Sequence, residues 1–161
     1  MKNPIPLKRH KALVSFSRDH HFGLLLVWKI RQGLNHVVEP ERISNYLLHF
    51  FEQDLQQHFK EEEQLIFCKL PVDNILRQQA EREHQIIYEL VERIRQDRRN
   101  EKLLMKFADA LQAHIRFEER TLFGYMQQVL SQAEWEVISG YEGGQAEEVD
   151  SGWEDVFWGN K

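Results

Sequence analysis

The sequence is poor in the residues that cross-link or interrupt a chain. Its 161 residues include one cysteine, Cys68, with four prolines and eight glycines. A single cysteine excludes an intramolecular disulfide and a cysteine-rich zinc site, and it favours a reducing compartment. We expect Cys68 to behave as a small buried hydrophobe, as free cysteines usually do.

The sequence also lacks a basic excess and a long hydrophobic run. Its net charge of −5 argues against nucleic acid as a partner, because no surplus of lysine and arginine is present to neutralise phosphates. The apolar run FGLLLVW is too short to span a bilayer and is followed at once by Lys29 and Arg31. No signal-peptide pattern precedes this run. We therefore expect a cytoplasmic protein that has neither nucleic acid nor a membrane as its partner.

The sequence does have helical periodicity in each long interval between its breaks. This pattern predicts four long helices, over about residues 10–35, 41–68, 74–98 and 100–130. Because their connections are short, four such helices favour an all-α, up-down-up-down four-helix bundle. The chain is long enough for one domain with a proper hydrophobic core.

Polar residues at the breaks indicate where helices begin. Asp73 is expected to cap the third helix, and Asn100 the fourth. Ser131 and Glu134 form a capping-box pattern, which predicts a short C-terminal helix. The bundle and this short helix would occupy residues 1–139.

Residues 140–161 are predicted to form an acidic, tryptophan-rich C-terminal tail. Trp153, Phe157 and Trp158 lie among acidic residues in this tail. They could fold back over the open end of the bundle or dock on a partner protein. We favour folding back, since tails often complete a core.

Four histidines interrupt the apolar stripes, one on each long helix. They are His20, His58, His84 and His114. A lone histidine at such a position is more often an ordinary core residue than a ligand. At about 1.5 Å of rise per residue, however, all four fall within one helical turn of the same height in the bundle. This convergence is difficult to explain by packing alone.

Two glutamates join this layer. In the stretch HFKEEEQLIF, residues 58–67, Glu62 follows His58 by four residues, and Glu118 likewise follows His114. Residues four apart share a helix face, so each pair can reach one point in the core. Burying these groups without a cation would cost many kcal/mol, whereas two metal ions would make them ligands.

The same stretch has a simpler interpretation, because Glu61, Glu62 and Glu63 could be an ordinary solvated run of charge. We expect that interpretation to hold for Glu61 and Glu63, which should face water, while Glu62 points inward. Mixed imidazole and carboxylate ligands suit iron best, with manganese or zinc possible. The pattern therefore predicts a dinuclear metal site.

These residues are also where the chain resembles a known family. Over about residues 10–130 it resembles hemerythrin-like (HHE cation-binding) domains, in the segments SRDHHFGLL, HFKEEEQLIF, EREHQIIYEL and HIRFEERTLF. The resemblance implies a four-helix bundle with a non-haem di-iron centre. Carried over residue by residue, it implies as ligands His20, His58, Glu62, His84, His114 and Glu118.

Some positions depart from the family's pattern or stay open. Oxygen-carrying hemerythrins have a second histidine one turn before the third-helix ligand, where this chain has Ala80. Glu81 could partly substitute for it. On the first helix we prefer His20 to His21, because His20 shares a stripe with Phe16 and Leu24; His21 could still support the ligands from behind.

Two functional interpretations follow from this ligand set. The first is a di-iron protein that binds or reacts with dioxygen, peroxide or nitric oxide, as a sensor, scavenger or stress-response protein. The second is a non-catalytic iron-binding module whose metal occupancy controls stability or binding of a protein partner. We expect no dedicated acid–base residue, so enzymatic activity stays open. A metal-free structural bundle is disfavoured, because it would bury the polar layer unpaired.

Overall fold

The protein is an all-α bundle of four long helices with a short C-terminal helix. A computed structural model describes residues 8–159, and no strand occurs within them. The first seven residues of the predicted bundle domain and the last two of the predicted tail lie outside the described residues. Among the helices that are described, none is long and apolar enough to cross a membrane.

Two of the long helices are regular α-helices. The first helix spans Val14–Asn35 after a 3-10 turn at Lys11–Leu13, and the third spans Ile75–Gln96. The short fifth helix spans Gln132–Ile138, and a 3-10 turn at Ala146–Glu148 lies in the tail.

The second and fourth helices contain wider π-helical turns. The second helix, residues 40–69, consists in order of Pro40–Phe50, the π turn Phe51–Leu55, Gln56–Glu61, the π turn Glu62–Ile66 and a 3-10 turn at Phe67–Lys69. The fourth helix, residues 101–129, consists of Glu101–Phe117, the π turn Glu118–Leu122 and Phe123–Val129. Such turns are rare and often mark functional positions.

The helix starts agree with the sequence at two positions out of three. The Asn100 side chain caps the fourth helix, and Ser131 with Glu134 forms the predicted capping box. The prediction for Asp73 is wrong. Asn74, directly before the third helix, accepts hydrogen bonds from the Leu76 and Arg77 amides at 3.0 Å, because its shorter distance to the first turn lets the side-chain oxygen reach them.

The hydrophobic core forms two clusters, one toward each end of the bundle. On the second helix, Phe59 belongs to one cluster and Ile66 to the other. On the third helix, Ile87 belongs to the cluster of Phe59, and Ala80 belongs to the cluster of Ile66. The predicted polar layer therefore lies between two apolar regions that shield it from water.

The expectation that Leu24 points inward is wrong, since 38% of its surface is exposed. The buried stripe of the first helix instead passes from His20 through Gly23 to Val27. Gly23 allows the first and fourth helices to approach closely, because a Cβ there would lie 2.8 Å from Ile115 Cδ1. His20 therefore lies in the buried stripe, as predicted, even though Leu24 does not.

Cys68 is exposed, so the expectation that it is buried is also wrong. The 3-10 turn that contains it buries the neighbouring Phe67 side chain and leaves Cys68 on the outer side. Its thiol donates a hydrogen bond to the Gln64 carbonyl oxygen at 2.8 Å.

The C-terminal tail folds back onto the bundle, as we favoured. Phe157 is buried in the hydrophobic core, and Trp153 and Trp158 pack against that core while partly exposed. All three rings contact the buried Tyr46 ring, with centroid distances between 4.6 and 5.9 Å. The tail is thus part of the folded unit.

Candidate metal centre

The six predicted ligands lie together in the layer between the two core clusters, and all six are buried. Their nitrogen and oxygen atoms form two groups in which every ligand atom lies within 4.8 Å of the others. One group is His20, His58 and Glu62; the other is Glu62, His84, His114 and Glu118. We call the His20 and His58 side of the layer subsite 1, and the His84 and His114 side subsite 2.

Glu62 belongs to both subsites. Its Oε2 lies 3.2 Å from His20 Nε2 and 3.3 Å from His58 Nε2. Its Oε1 lies 3.1 Å from His84 Nε2 and 3.9 Å from His114 Nε2. One carboxylate therefore faces two separate histidine pairs, one pair with each oxygen.

Glu118 also connects the subsites. Its Oε1 contacts His114 Nε2, and its Oε2 lies 3.6 Å from His20 Nε2. Both bridging glutamates stand at the first residue of a π-helical turn. The spacing from each histidine to its glutamate is α-helical, and the helix widens only after the glutamate.

Each of the four imidazoles has one further carboxylate beside its outer nitrogen, Nδ1. The Nδ1 atoms of His20 and His114 lie 2.8 Å from Glu119 and Glu83 respectively. His58 Nδ1 lies 3.0 Å from Asp19, and His84 Nδ1 lies 3.5 Å from Glu63. At His20, His58 and His114 the hydrogen-bonded carboxylate favours a proton on Nδ1, which leaves Nε2 to face the layer, whereas His84 Nδ1 makes no hydrogen bond.

Each outer carboxylate is held in turn by another group. In subsite 1, Asp19 accepts hydrogen bonds from the Tyr141 hydroxyl and, at 3.0 Å, from the Gly144 amide. Glu119 accepts one from the Arg9 guanidinium at 2.9 Å.

In subsite 2, the corresponding donors belong to the third helix. The Tyr88 hydroxyl donates to Glu63 at 3.2 Å, and the Gln79 amide donates to Glu83 at 3.0 Å. The ligand layer is therefore enclosed by two further layers of hydrogen-bonded groups.

These outer carboxylates were not predicted from the sequence, although a signal for them exists. Each is the sequence neighbour of a ligand but faces the histidine of another helix, because adjacent side chains diverge by about 100° around a helix. The pairs are Asp19 with His20, Glu63 with Glu62, Glu83 with His84, and Glu119 with Glu118. The expectation that Glu63 faces only water is wrong, whereas Glu61 does bind a surface side chain, that of Gln57.

The positions left open by the sequence lie outside the ligand layer. His21 is exposed, and Glu81 forms an ion pair with Arg77 at 3.0 Å. Ala80, at the position of the missing fifth histidine, is fully buried in the core cluster. The described ligand set therefore contains one histidine from each long helix.

The pKa values of ionisable groups in the layer depend strongly on the charges of their neighbours. Burial opposes the charged form of His20, but hydrogen bonds with Glu119 and Glu62 outweigh it and raise its pKa to about 9. The pKa values of His58 and His114 are also raised well above the ordinary value, since nearby carboxylates outweigh burial. Burial opposes ionisation of Glu62 as well, yet the surrounding histidines, His58 foremost, hold its pKa well below the usual range.

Glu118 behaves differently from Glu62. Burial and the neighbouring charge of Glu62 raise the pKa of the Glu118 carboxyl. Two buried carboxylates thus compete for the same positive charge, and a metal cation would relieve that competition.

The arrangement fits bound metal ions. Seven buried side-chain polar atoms of residues 8–159 make no hydrogen bond, and four of them belong to predicted ligands and face the layer: His58 Nε2, His114 Nε2 and both Glu118 carboxylate oxygens. His114 Nε2 contacts Glu118 Oε1, and His58 Nε2 lies 3.3 Å from Glu62 Oε2, in each case without hydrogen-bond geometry. Buried polar atoms are normally paired, so this cluster of unpaired donors and acceptors matches the lone pairs that a cation would accept.

A small cavity lies beside subsite 1. His20, His58 and His114 line one part of it, and its apolar wall includes Leu55, Leu111 and Ile115. It has room for about one water-sized molecule. A very small ligand could therefore lie next to the metal ligands.

Comparison with known proteins agrees with this geometry. The model of the hemerythrin HHE cation binding domain matches residues 12–126, a stretch that contains all six predicted ligands. Comparisons with the curated proteins and with the solved structures gave no match. Since the match covers well over half of the chain, the protein belongs to the hemerythrin HHE cation-binding family.

Proposed function

We propose that this protein is a cytoplasmic, non-haem di-iron protein that binds or reacts with dioxygen, peroxide or nitric oxide. Its role would be that of a sensor, a scavenger or a stress-response protein. The observation that carries the proposal is the position of Glu62, whose two oxygens face two separate histidine pairs. A single metal ion would not need a carboxylate in that position, whereas two ions would share it.

The donor set and its surroundings favour iron. Imidazole with carboxylate is a mixed set that suits iron, with manganese or zinc as alternatives. Asp19, Glu63, Glu83 and Glu119 add negative charge around the imidazoles, which favours a metal with an accessible trivalent state. Two iron ions would supply reversible one-electron redox chemistry and open coordination positions for a small ligand.

The residues of this chain have distinct parts in the proposed centre. His20 and His58 would hold one ion, His84 and His114 the other, and Glu62 with Glu118 would be shared between them. Around His20, His58 and His114 the outer carboxylates would retain the Nδ1 protons while metal replaces any proton at Nε2, and this fixes the tautomer and the orientation of these imidazoles. The two apolar clusters exclude water from the layer, and this strengthens its electrostatic interactions.

The cavity suits a diatomic ligand or peroxide better than a larger substrate. Its size admits about one small molecule, and its apolar wall offers few competing hydrogen bonds. The titratable groups that line it are Asp19 and three of the predicted ligand histidines. Because each of these already has a structural partner, reversible binding is favoured over acid–base turnover.

The proposal is tested by the metal content of protein loaded with ferrous iron under anaerobic conditions. We expect about two irons per chain in the wild type and about one in His58→Ala. The matched control is His21→Ala, because His21 is exposed and lies outside the ligand layer. Nitric oxide should then change the visible absorption of the loaded wild type. No bound iron after loading would overturn the proposal.

The alternative, a non-catalytic regulatory module, has one structural observation in its favour. The tail reaches the carboxylate that supports His58, because the Tyr141 hydroxyl and the Gly144 amide both donate hydrogen bonds to Asp19. In that case metal should raise the melting temperature, while air, peroxide and nitric oxide should leave the absorption spectrum of the loaded protein unchanged.

A further inference from the structure

The two subsites differ in where their outer carboxylates are anchored. In subsite 1, the donors to Asp19 and Glu119 are Tyr141 and Gly144 of the tail and Arg9 before the first helix. All three donors lie outside residues 12–126, the part matched by the family model.

In subsite 2, the anchoring is internal to the bundle. Tyr88 and Gln79, both on the third helix, hold Glu63 and Glu83. Subsite 2 is therefore complete within the four helices, whereas subsite 1 depends on the terminal segments.

We propose that Tyr141 and Gly144 are positioning residues for His58, and that docking of the tail controls metal binding at subsite 1 but not at subsite 2. The inference rests on the proposed metal centre. Tyr141 and Gly144 fix the Asp19 carboxylate, and Asp19 fixes the orientation of the His58 imidazole. Neither tail residue contacts the ligand layer itself.

The tail is well placed to exert this control. The Tyr141 ring stacks on the buried Phe16 ring at a centroid distance of 4.1 Å. At Gly144 there is no room for a side chain, because a Cβ would lie 2.5 Å from Asp54 Oδ1. Further along, Asp150 pairs with the buried Lys29 at 2.7 Å. The segment is thus held on both sides of the groups that reach Asp19.

The consequence for metal affinity follows from the burial of Asp19. This carboxylate is nearly inaccessible to water, so a lost donor is not replaced by solvent. Without the Tyr141 hydroxyl the carboxylate can rotate, and the His58 imidazole with it. Removing the direct partner of a ligating histidine typically lowers metal affinity by about 10- to 100-fold, and loosening Asp19 should produce a loss toward the lower end of that range. Linkage requires the reciprocal effect, that metal at subsite 1 strengthens docking of the tail.

The test is a Co²⁺ titration, followed by visible absorption, of variants in which one subsite has been disabled. Tyr141→Phe keeps the ring stack and removes only the hydroxyl. In a His84→Ala background, where subsite 1 remains, we expect Tyr141→Phe to weaken Co²⁺ binding by about tenfold or more. In a His58→Ala background, where subsite 2 remains, it should have no effect.

Two tyrosines serve as controls. Tyr88→Phe should show the opposite pattern, since Tyr88 supports subsite 2 through Glu63. Tyr125→Phe should affect neither subsite, because the Tyr125 hydroxyl bonds only the Asn74 amide. If Tyr141→Phe matches Tyr125→Phe in the His84→Ala background, the inference is wrong and the metal centre stands. If wild-type protein binds no Co²⁺, both proposals fail.

Hydrogen exchange provides a readout independent of the tyrosine substitutions. The Gly144 amide donates to Asp19, so its exchange reports docking of the tail at this point. In His84→Ala protein, Co²⁺ should slow exchange at Gly144, and in His58→Ala protein it should not. Equal exchange with and without Co²⁺ in His84→Ala protein would contradict the proposed coupling.

Discussion

Lys29 of the first helix and Asp150 of the tail form an ion pair whose lysine is almost fully buried, with Nζ 2.7 Å from Oδ2. The same ammonium donates to the Tyr46 hydroxyl at 2.8 Å and lies 4.1 Å from the centre of the Trp158 ring. The tail is therefore attached by a charged contact as well as by its aromatic rings.

This pair yields a prediction about stability. Asp150→Ala should lower the free energy of unfolding by about 1–2 kcal/mol, because Lys29 would stay buried without its counter-charge. Replacing both partners, as Lys29→Met with Asp150→Ala, should restore part of that loss. Urea unfolding followed by tryptophan fluorescence measures both. A double variant less stable than Asp150→Ala alone would contradict the explanation.

Glu62 and Glu61 give a matched test of the metal centre. Glu62→Ala should reduce iron binding at both subsites, because its two oxygens face both histidine pairs. Glu61→Ala should bind iron like the wild type, since Glu61 lies toward the surface and bonds Gln57. Metal analysis after gel filtration distinguishes the two. Loss of only one iron in Glu62→Ala would show that the carboxylate is not shared.

The raised histidine pKa values predict opposite pH dependences for stability and metal affinity. In protein stripped of metal, the His20 pKa of about 9 exceeds its ordinary value of 6.5. The charged imidazole therefore contributes stability that is complete below about pH 6.5 and is lost as pH rises through about 9. Metal must displace these protons, so affinity should rise over the same interval.

Urea unfolding of stripped protein and Co²⁺ titrations across that pH interval check both trends. His20→Ala should flatten the stability profile of the stripped protein. The matched variant His21→Ala should not, because His21 is exposed. A stripped protein whose stability rises toward pH 9 would contradict the assignment of charge.

Val37 predicts a stabilising substitution far from the metal centre. It follows the first helix with a φ of 55°, which is the left-handed conformation that β-branched residues disfavour, and its side chain is 84% exposed. Val37→Gly should raise the free energy of unfolding by about 1 kcal/mol, because glycine adopts this conformation without strain. Urea unfolding would measure the gain, and iron content should be unchanged.

The cavity predicts a kinetic effect. Ile115→Ala should enlarge it beside subsite 1 and speed nitric oxide binding to iron-loaded protein, at a cost of about 2–4 kcal/mol in stability. Ile94→Ala is the matched control, because Ile94 is equally buried in the same core cluster but does not line the cavity. Stopped-flow absorption gives the rates. Equal rates in the two variants would exclude this cavity as the ligand's position.

The fold and the convergence of the six predicted ligands were accessible from the sequence because both depend on helical periodicity. One histidine per helix, and a glutamate four residues after two of them, place six groups at one level before any contact is known. The outer carboxylates were not accessible in this way. Asp19 serves His58 of another helix, so its role depends on how the helices are rotated against each other, and the periodicity of one helix does not specify that.

The errors at Leu24, Asp73 and Cys68 are local and have a common physical origin. Leu24 was assigned from its place in the apolar stripe, and Asp73 and Cys68 from the usual preferences of their residue types; each assignment was overruled by a neighbour. Gly23 moves the contact of the first helix away from Leu24, Asn74 lies nearer the helix start than Asp73, and Phe67 occupies the buried side of the turn that carries Cys68. Packing decided Leu24 and Cys68, and the exact residue at which the third helix begins decided Asp73.

The π-helical turns that begin at Glu62 and Glu118 limit how this sequence can change in length. Each turn accommodates one residue more than a regular helix, and the buried side chains after it depend on that extra residue. Deleting one residue within 119–121 would restore a regular helix. It would also rotate everything beyond by about 100° and turn Leu122, Phe123 and Met126 out of the core. The fourth helix should therefore tolerate many substitutions near its metal ligand but no single-residue deletion there.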